Sequence, residues 1–366
     1  MSKYLLVLNA GSSTVKYTLF EIGVELQSIL NGVIEYKPGD SDHIKKIDDE
    51  IESKLEGSFK DYLVAIGHRV VHGGKLFHEP AVINDQILEQ LKALIPLAPL
   101  HQPHAIHAIE LCHDAFPGVK QVACFDTTFH MTQHDIETMF AIPHKFFEQG
   151  VLRYGFHGLS YEYISKKLLE ILGEEARSRV IVAHLGNGSS LCAMKDLKSV
   201  ATTMGFTALE GLMMGTRCGN IDPGVILYFL ENGMDYKEVV NLLYRESGLK
   251  GVSGISNDIR VLLQDGSKKA YDAIELFCYR AAKSLASLTA TIGGLDTIVF
   301  TAGIGTNSHV VRDGICKYLK GFGVDIDQQK NQQNSFEISS EASKVKVLVI
   351  KTDEEKVIAT HVLNMV

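Results

Sequence analysis

Two short stretches combine glycine with hydroxyl side chains, the residue types that bind phosphate through backbone N–H groups and side-chain donors. They are VLNAGSSTVKYTLF, residues 7–20, and VIVAHLGNGSSLCAMK, residues 180–195. The first glycine cluster carries three hydroxyls: Ser12, Ser13 and Thr14. It is not a Walker A loop, because a strand-like segment follows it where that motif requires a helix. We predict two hairpins that hold phosphate at their tips, with Lys16 as a local charge. An ordinary glycine–serine turn is the alternative for either tip alone.

A third glycine loop follows a predicted strand. After Thr297–Thr301 the chain places Gly303 and Gly305 ahead of a helix that Ser308 would cap. Glycines between a strand and a capped helix let a phosphate approach the helix N-terminus, so we predict a nucleotide-binding loop. A simple strand–helix turn is the alternative, since two glycines form a weak pattern.

Two arginines lie in glycine-rich stretches suited to a carboxylate or phosphate clamp. Arg69 ends a predicted strand in GHRVVHGG, and Arg217 lies in GLMMGTRCG, which contains no other charge. The guanidinium fork matches both anions, and the glycines permit close approach; a surface ion pair is the alternative for each. Asp126 ends an apolar strand, where active sites of α/β proteins gather. His157 lies between aromatic residues and Gly158, and a structural histidine is its alternative.

Two further groups of polar residues suggest metal chemistry. His101, His104 and His107 recur every third residue. That spacing drifts around a helix, and no local cysteine or acid completes a zinc set, so a ligand-contacting His101 is favoured instead. Glu354 and Glu355 follow a predicted strand near the C-terminus. Adjacent carboxylates can hold Mg²⁺, and a capped, solvated helix start is the alternative.

Short apolar strands alternate with amphipathic helices, which indicates an α/β fold. The predicted strands are Tyr4–Leu8, Val15–Phe20, Val64–His68, Val119–Phe125, Val180–His184, Leu191–Met194, Thr297–Thr301 and Lys346–Ile350. The clearest helix is Tyr271–Ile292, and the charged stretch Asp40–Glu56 is predicted to be a solvated helix or loop. Because the two glycine–serine hairpins lie about half a chain apart, we expect a duplicated domain with a cleft between its halves. A chance match of two strand–turn–strand units is the alternative.

Composition limits the function classes. The chain has 366 residues, 45% hydrophobic and 22% charged, with a formal net charge of −8. This charge argues against general attraction to nucleic acid or an anionic membrane, so any anion site must be local. The six cysteines are scattered without a C-x-x-C pair, which indicates thiols of a reducing compartment. With no signal-peptide pattern and no apolar run of membrane-spanning length, we expect a soluble, cytoplasmic protein.

The motifs taken together resemble the acetate kinase family from Leu6 to Ala359. They are LNAGSS, GHRVVHGG, LAPLH, FDTTFH, RYGFHG, HLGNGSS, MGFTALEGLMMGTR, SGLKGVSGISNDIR, FTAGIG and TDEE, in that order. Ten motifs in order form a highly specific pattern, although no single one is decisive.

This resemblance implies two duplicated ribonuclease H-like (actin-like ATPase) domains with an interdomain cleft. We expect residues 1–128 with 353–366 to form an acyl-substrate and phosphate domain, and residues 129–352 a nucleotide-binding domain. The implied reaction is reversible, direct in-line transfer of a phosphoryl group from ATP to acetate, giving acetyl phosphate and ADP. Mg²⁺ or Mn²⁺ is the implied cofactor, and the implied assembly is a homodimer.

Site residues follow from the resemblance motif by motif. The implied catalytic residues are Asp126 as catalytic acid, His157 as a stabiliser of the transition state, and Arg217 on the transferring phosphoryl group. Arg69 would bind the acetate carboxylate, with Val71 and Leu100 around its methyl group. The implied ATP-binding residues are Lys16, His184, Leu185, Gly186, Asn187, Gly188, Asp258, Ile259, Arg260, Gly303, Ile304, Gly305, Thr306 and Asn307. Asn9 and Glu354 would hold the metal ion.

The chain departs from the family pattern around the expected site. Thr14 replaces a serine, Ala208 a proline of the acyl pocket, Ala201 and Asn220 aspartates, Tyr161 a histidine and Thr306 a glutamate. These changes put acid preference and catalytic efficiency in question, since a smaller residue at 208 could admit a longer acid. Two alternatives therefore remain: a kinase for propionate or another short-chain acid, and a non-catalytic nucleotide-binding module. A Rossmann dehydrogenase is excluded because no G-x-G-x-x-G follows the first strand.

Overall fold

A computed structural model of the chain describes residues 3–11, 13–37, 40–55 and 59–366. The chain folds into two compact units, Met1–Phe129 with Asp353–Val366, and His130–Thr352. Each unit is built around one β-sheet. In the part of the chain that is described, no helix is both long and apolar enough to cross a membrane.

The first unit contains a six-stranded sheet. Its strands are β1 (Lys3–Ala10), β2 (Thr14–Ile22), β3 (Leu26–Glu35), β4 (Leu63–Val70), β5 (Ala81–Val82) and β6 (Lys120–Phe125), in the spatial order β3-β2-β1-β4-β6-β5. Its helices are α1 (His43–Lys54), α2 (Asp85–Ala93), α3 (Gln102–Ala115) and the C-terminal helix (Glu354–Leu363), with 3-10 turns at Phe59–Tyr62 and Ile95–Leu97. Strands β1 to β3 are antiparallel, whereas β1, β4 and β6 are parallel. The carboxyl ends of β1, β4 and β6 therefore meet at one edge of the sheet.

The second unit contains a five-stranded sheet. Its strands are β7 (Val180–Leu185), β8 (Ser189–Lys195), β9 (Lys198–Thr202), β10 (Thr297–Thr301) and β11 (Lys346–Val349), in the order β11-β10-β7-β8-β9. Its helices are α4 (Asp135–Thr138), α5 (Lys145–Glu148), α6 (Gly158–Leu172), α7 (Pro223–Glu231), α8 (Tyr236–Arg245), α9 (Gly248–Ser253), α10 (Ile259–Asp265), α11 (Lys268–Thr291), α12 (Ala302–Asn307), α13 (His309–Cys316) and α14 (Gln328–Gln332). Further 3-10 turns lie at Thr128–Thr132, Gly173–Arg177 and Lys317–Phe322.

The two sheets have the same topology. In each, an antiparallel three-stranded meander is followed by two parallel strands added beside its first strand: β1, β2, β3, β4 and β6 correspond to β7, β8, β9, β10 and β11. The glycine–serine hairpins β1–β2 and β7–β8 occupy equivalent places. The expected duplication is confirmed, and β5 is an addition at the edge of the first sheet.

Local patterns explain most of the elements. Helix α11 begins at Lys268, with Ser267 accepting a capping hydrogen bond from the Ala270 N–H, and it buries the apolar stripe that the sequence predicted. The stretch expected to be solvated instead forms α1, which buries Ile44, Ile47 and Ile51 between charged residues. That expectation was incomplete, because three isoleucines at three- and four-residue spacings are enough to bury one face of a helix.

Candidate active site

An ion pair between the half-buried Arg69 and the buried Asp126 lies at the carboxyl edge of the first sheet. Arg69 is the penultimate residue of β4, and Asp126 directly follows the neighbouring parallel strand β6. Asp126 is 1% exposed, and its two carboxylate oxygens accept from Arg69 Nε at 2.9 Å and Nη2 at 2.5 Å. Arg69 Nη1 also donates to Asn9 Oδ1 on β1 at 3.2 Å. The sheet thus brings three sequence-predicted residues together.

This ion pair changes the expected use of Arg69. Three of its five N–H groups are accounted for by Asp126 and Asn9. Asp126 makes the bidentate contact with the guanidinium that the sequence suggested for an acid substrate. A carboxylate ligand would therefore have to accept from the remaining N–H groups of Arg69.

Glu354 adds a third charge to the same edge. It begins the C-terminal helix, which Asp353 caps by accepting from the Lys356 N–H, and its Oε2 lies 3.9 Å from Arg69 Nε. Burial, with the nearby carboxylates of Asp126 and Glu355, raises the pKa of Glu354 to about 7 against the pull of Arg69 and Lys16. The carboxylates of Asp126, Glu354 and Glu355 thus lie near one another at this edge.

The oxygen atoms at this edge of the sheet form only part of a Mg²⁺ site, which a bound substrate would have to complete. Asn9 and Glu354 supply an amide and a carboxylate oxygen, which are ligands that Mg²⁺ accepts. Among the residues described, no group of three or more His, Cys, Asp or Glu is arranged to hold a metal ion. Mg²⁺ commonly completes such a partial set with water and substrate phosphates.

The first hairpin tip and the acyl-pocket residues lie in this unit too. Lys16 is exposed on β2 directly opposite Asn9, and the Gly11 N–H donates to the Thr14 carbonyl at 2.8 Å. Ser12, one of the three hydroxyls expected to bind phosphate, lies outside the described residues. Val71 is 9% exposed and follows β4. The other positions suggested for acid contact, Leu100 and His101, are half-buried in the turn before α3.

The second hairpin places two donors over a glycine. Gly188, at the tip between β7 and β8, has no side chain, and a Cβ added there would lie 3.2 Å from His157 Nε2 and 3.6 Å from Arg217 Nη2. Arg217 Nη1 donates to the Ala208 carbonyl at 2.8 Å, which fixes the other end of its guanidinium. Both donors therefore face the same small space above the hairpin backbone.

Hydroxyl groups hold the histidines of this site. His157 Nδ1 lies 2.9 Å from Ser190 Oγ, and Tyr161 OH also hydrogen-bonds Ser190 Oγ. The ring of His157 stacks on that of His184, with centroids 4.1 Å apart and planes 15° from parallel. His184 Nδ1 in turn lies 2.8 Å from Ser160 Oγ. No sequence pattern indicated these serine contacts, because they depend on how α6 packs against β7 and β8.

A cavity of about 630 Å³ lies beside the second hairpin. Eight of the predicted ATP-binding residues line it: Gly186, Asn187, Asp258, Ile259, Arg260, Gly303, Ile304 and Asn307. Five further lining residues were not predicted: Asn257, Leu263, Ser308, His309 and Val310. His184, Leu185, Gly188, Gly305 and Thr306 are absent from its lining but lie on the hairpin or on α12, whereas Lys16 belongs to the other unit. The apolar wall formed by Leu263, Ile304 and Val310 suits a purine ring.

Arg312 is a residue of this region that the sequence analysis missed. It lies on α13 with 0% exposure, and its Nη1 donates to the carbonyls of Gly305 and Thr306 at 2.9 and 3.0 Å. Its other donors bind Asn331 and Asn334. Burial lowers the pKa of Arg312 to about 10. Arg312 therefore fixes the C-terminal end of helix α12, which lines the cavity.

A model of the acetokinase family matches residues 36–360. The chain belongs to the acetokinase family. An acetate kinase from Rhodopseudomonas palustris (strain TIE-1) is 47% identical over 393 residues, covering 100% of this chain and 99% of the relative. This similarity confirms the family resemblance that the ten motifs indicated.

Solved structures of acetokinase-family proteins have the same fold. The acetate kinase of Porphyromonas gingivalis superposes with a TM-score of 0.89 at 34% identity and covers 99% of both chains. The propionate kinase of Francisella tularensis gives 0.89 at 39% identity and covers 98% of both. The duplicated actin-like ATPase fold is therefore confirmed for this acetokinase-family chain.

Two of the departures from the acetokinase pattern flank Arg217 in the sequence. Ala208 supplies the carbonyl that accepts from Arg217, a bond that leaves its small side chain uninvolved. Asn220 Oδ1 accepts from the Gly211 N–H at 3.0 Å, an interaction that an amide oxygen makes as well as a carboxylate would. These two hydrogen bonds therefore form although the proline and the aspartate of the family pattern are absent.

Proposed function

We propose that the chain catalyses reversible, Mg²⁺-dependent transfer of the γ-phosphoryl group of ATP to acetate, giving acetyl phosphate and ADP. The observation that carries this proposal is the pair of donors, His157 Nε2 and Arg217 Nη2, over the bare backbone of Gly188. Two donors converging beside a nucleotide-sized cavity suit a phosphoryl group in transfer. Acetate as the acid is supported by the acetate kinases that the chain resembles.

Each unit has a part in this proposal. The first unit holds the acid through Arg69, with Val71 and Leu100 around its alkyl group, and Asp126 is the catalytic acidic residue that orients Arg69. The second unit holds the nucleotide in the cavity beside β7. An oxygen of the acid attacks the γ-phosphorus in line, the bond to the β-phosphate oxygen breaks, and ADP leaves with the electron pair. His157 and Arg217 stabilise charge on the equatorial oxygens.

Asn9 and Glu354 would hold Mg²⁺ or Mn²⁺, which when bound supplies charge neutralisation on the phosphates. Lys16, across the strand pair from Asn9, would add a mobile positive charge near them. Support for this assignment is that the carboxylates of Asp126 and Glu355 lie near Glu354 and act on its pKa.

A hydroxylamine assay for acyl phosphate tests the proposal directly. Purified protein with ATP and Mg²⁺ is incubated with acetate, propionate or butyrate, and the acyl hydroxamate is measured. We expect product with acetate and none when Mg²⁺ is chelated. ATP binding without any acyl phosphate would contradict the proposal and favour a non-catalytic nucleotide-binding module.

Propionate is the second candidate substrate. It is favoured by Ala208, which stands where the family has a proline of the acyl pocket, and by the likeness to a propionate kinase at 39% identity. A hydrophobic pocket distinguishes one methylene by only about 1–3 kcal/mol. The ratio of kcat/KM for acetate to that for propionate separates the two candidates, and a ratio below one would reverse the assignment.

A homodimer and a cytoplasmic location complete the proposal. Helix α7 has an apolar sequence, PGVILYFLE, and all nine of its residues are described but none is buried. Leu227 and Tyr228 are 59% and 60% exposed. A second copy of the chain would remove this surface from water. All six cysteines lie among the described residues and none is in a disulfide, which supports a reducing compartment that also supplies ATP.

The double substitution Leu227→Glu with Tyr228→Glu should convert the dimer to a monomer, because it buries two charges in the apolar contact. Light scattering coupled to size exclusion measures the mass. Val24→Glu is the matched control, since Val24 is fully exposed in the turn between β2 and β3 of the other unit. A variant that keeps the dimer mass would exclude α7 as the interface.

Glu354→Gln should change how stability depends on pH in the metal-free protein. The folded-state pKa of Glu354, about 7, lies above its ordinary value of 4.5, so the folded protein holds this proton more tightly than the unfolded chain. The contribution of Glu354 is therefore complete at low pH and is lost as pH rises through about 7. The free energy of unfolding of the variant, relative to that of the parent, should rise by on the order of 2 kcal/mol between pH 5 and pH 8.

Urea unfolding of the metal-free protein at both pH values gives this difference. Glu341→Gln is the control, because Glu341 is exposed. Addition of Mg²⁺ and ADP should reduce the gain, since a bound cation compensates the ionised carboxylate. An equal effect of Glu354→Gln at both pH values would contradict the interpretation.

A further inference from the structure

Tyr161 and Ser190 form a two-hydroxyl chain that ends on a ring nitrogen of His157. Tyr161 and Ser190 are both 0% exposed, the first on α6 and the second on β8. Tyr161 OH hydrogen-bonds Ser190 Oγ, and Ser190 Oγ lies 2.9 Å from His157 Nδ1. The Tyr161 N–H also donates to the His157 carbonyl at 3.1 Å, so one helical turn connects the two side chains. Burial of both side chains and this backbone hydrogen bond hold Tyr161 and Ser190 in one arrangement relative to His157.

The position of His157 itself is enforced by the fold. Its φ is 60°, in the left-handed region that a non-glycine residue adopts only at a cost in free energy. From this position the Nε2 edge faces the space over Gly188 that Arg217 also faces. A strained backbone at the start of α6 therefore serves to aim one edge of the ring.

The protons available on the two hydroxyls distinguish the two ring nitrogens of His157. The more acidic phenol of Tyr161 favours donation to Ser190 Oγ, which can accept one hydrogen bond and donate another. Ser190 has one proton, and it then donates that proton to His157 Nδ1. With this direction Nδ1 accepts and carries no proton, which places the N–H on Nε2.

We infer that Tyr161 and Ser190 are positioning residues that keep His157 as the neutral Nε2–H tautomer and aim that N–H at the transferring phosphoryl group. This inference rests on the proposed function for its catalytic consequence. The tautomer is inferred from the direction of these two hydrogen bonds and does not depend on the proposed function. It also gives a role to a residue at which the chain differs from the family pattern, where a histidine is usual.

Long-range ¹H–¹⁵N correlation spectra of protein with ¹⁵N-labelled histidine test the tautomer without any activity. The His157 signal is assigned by its loss in His157→Gln. At pH 7.5 we expect the parent to show an Nε2–H ring, and Tyr161→Phe and Ser190→Ala to shift it towards a mixture of tautomers. A parent ring protonated at Nδ1, or at both nitrogens, would overturn the inference even if the enzyme is active.

Kinetics test the consequence. Tyr161→Phe should lower kcat about tenfold, the value of one hydrogen bond, with the KM values for ATP and acetate changed less than about twofold. Tyr154→Phe is the matched control, because Tyr154 is 5% exposed and its hydroxyl donates to the Gly150 carbonyl instead of a serine of the site. Its kcat should stay near that of the parent. An unchanged kcat in Tyr161→Phe would overturn the inference, whereas absence of acyl phosphate formation in the parent would overturn the proposed function and leave the spectra as the test.

Discussion

Arg217→Ala should lower kcat by on the order of 10²-fold or more. Arg217 Nη2 and His157 Nε2 face one space over Gly188, and removal of one such donor from a transition state costs roughly 2.7–4 kcal/mol by analogy with an oxyanion-hole donor. The loss should appear mainly in kcat and less in the KM for ATP, because charge on the equatorial oxygens is greatest in the transition state. The hydroxylamine assay at saturating acetate measures it.

Two further variants separate this effect from a general loss of structure. Arg217→Lys keeps the charge but loses the fork that binds the Ala208 carbonyl, so its kcat should lie between those of the parent and the alanine variant. Arg177→Ala removes an exposed arginine that pairs with Glu174 in the same unit, and it should leave kcat unchanged. A near-normal kcat for Arg217→Ala would remove Arg217 from the mechanism.

Short-range sequence patterns were sufficient to predict the parts of the site that lie on regular elements. The hairpin tips and the ends of β4 and β6 follow from apolar runs that stop at glycine or at a charge. Three strands were missed for local reasons. Strand β5 has two residues, β9 begins and ends with polar residues, and β3 has only half-buried and exposed positions. None of them presents the buried apolar run on which the strand predictions relied.

Contacts between distant segments could not be predicted in the same way. Ser190 is one of several serines in a glycine-rich stretch, and its role at His157 arises only when α6 packs on β8. Arg312 resembles any helical arginine in sequence, yet its burial places it against helix α12, which lines the cavity beside the second hairpin. The reassignment of the Arg69 fork to Asp126 likewise depends on strand pairing between β4 and β6.

That pairing gives the second large expected effect. Asp126→Asn should lower kcat by on the order of 10²-fold or more and reduce the free energy of unfolding by about 3 kcal/mol. The carboxylate of Asp126 is 1% exposed and accepts two hydrogen bonds from Arg69, whereas an asparagine would turn its NH₂ group towards one of those donors. Arg69 would then be left with an unsatisfied N–H and in a changed orientation towards the acid.

The chain offers a matched control in the Arg179–Asp296 pair. Its side chains form the same bidentate contact, with Arg179 Nε 2.8 Å from Asp296 Oδ2, and Asp296 Oδ2 also accepts from the Arg179 backbone N–H at 2.9 Å. The two side chains are 39% and 35% exposed, and the pair lies in the other unit. Asp296→Asn should cost under about 1 kcal/mol and leave kcat unchanged, because solvent screens an exposed pair. Urea unfolding and the hydroxylamine assay on both variants give the comparison. Equal losses of stability would mean that burial does not distinguish the two pairs. A normal kcat in Asp126→Asn would mean that Arg69 finds its catalytic orientation without the carboxylate of Asp126.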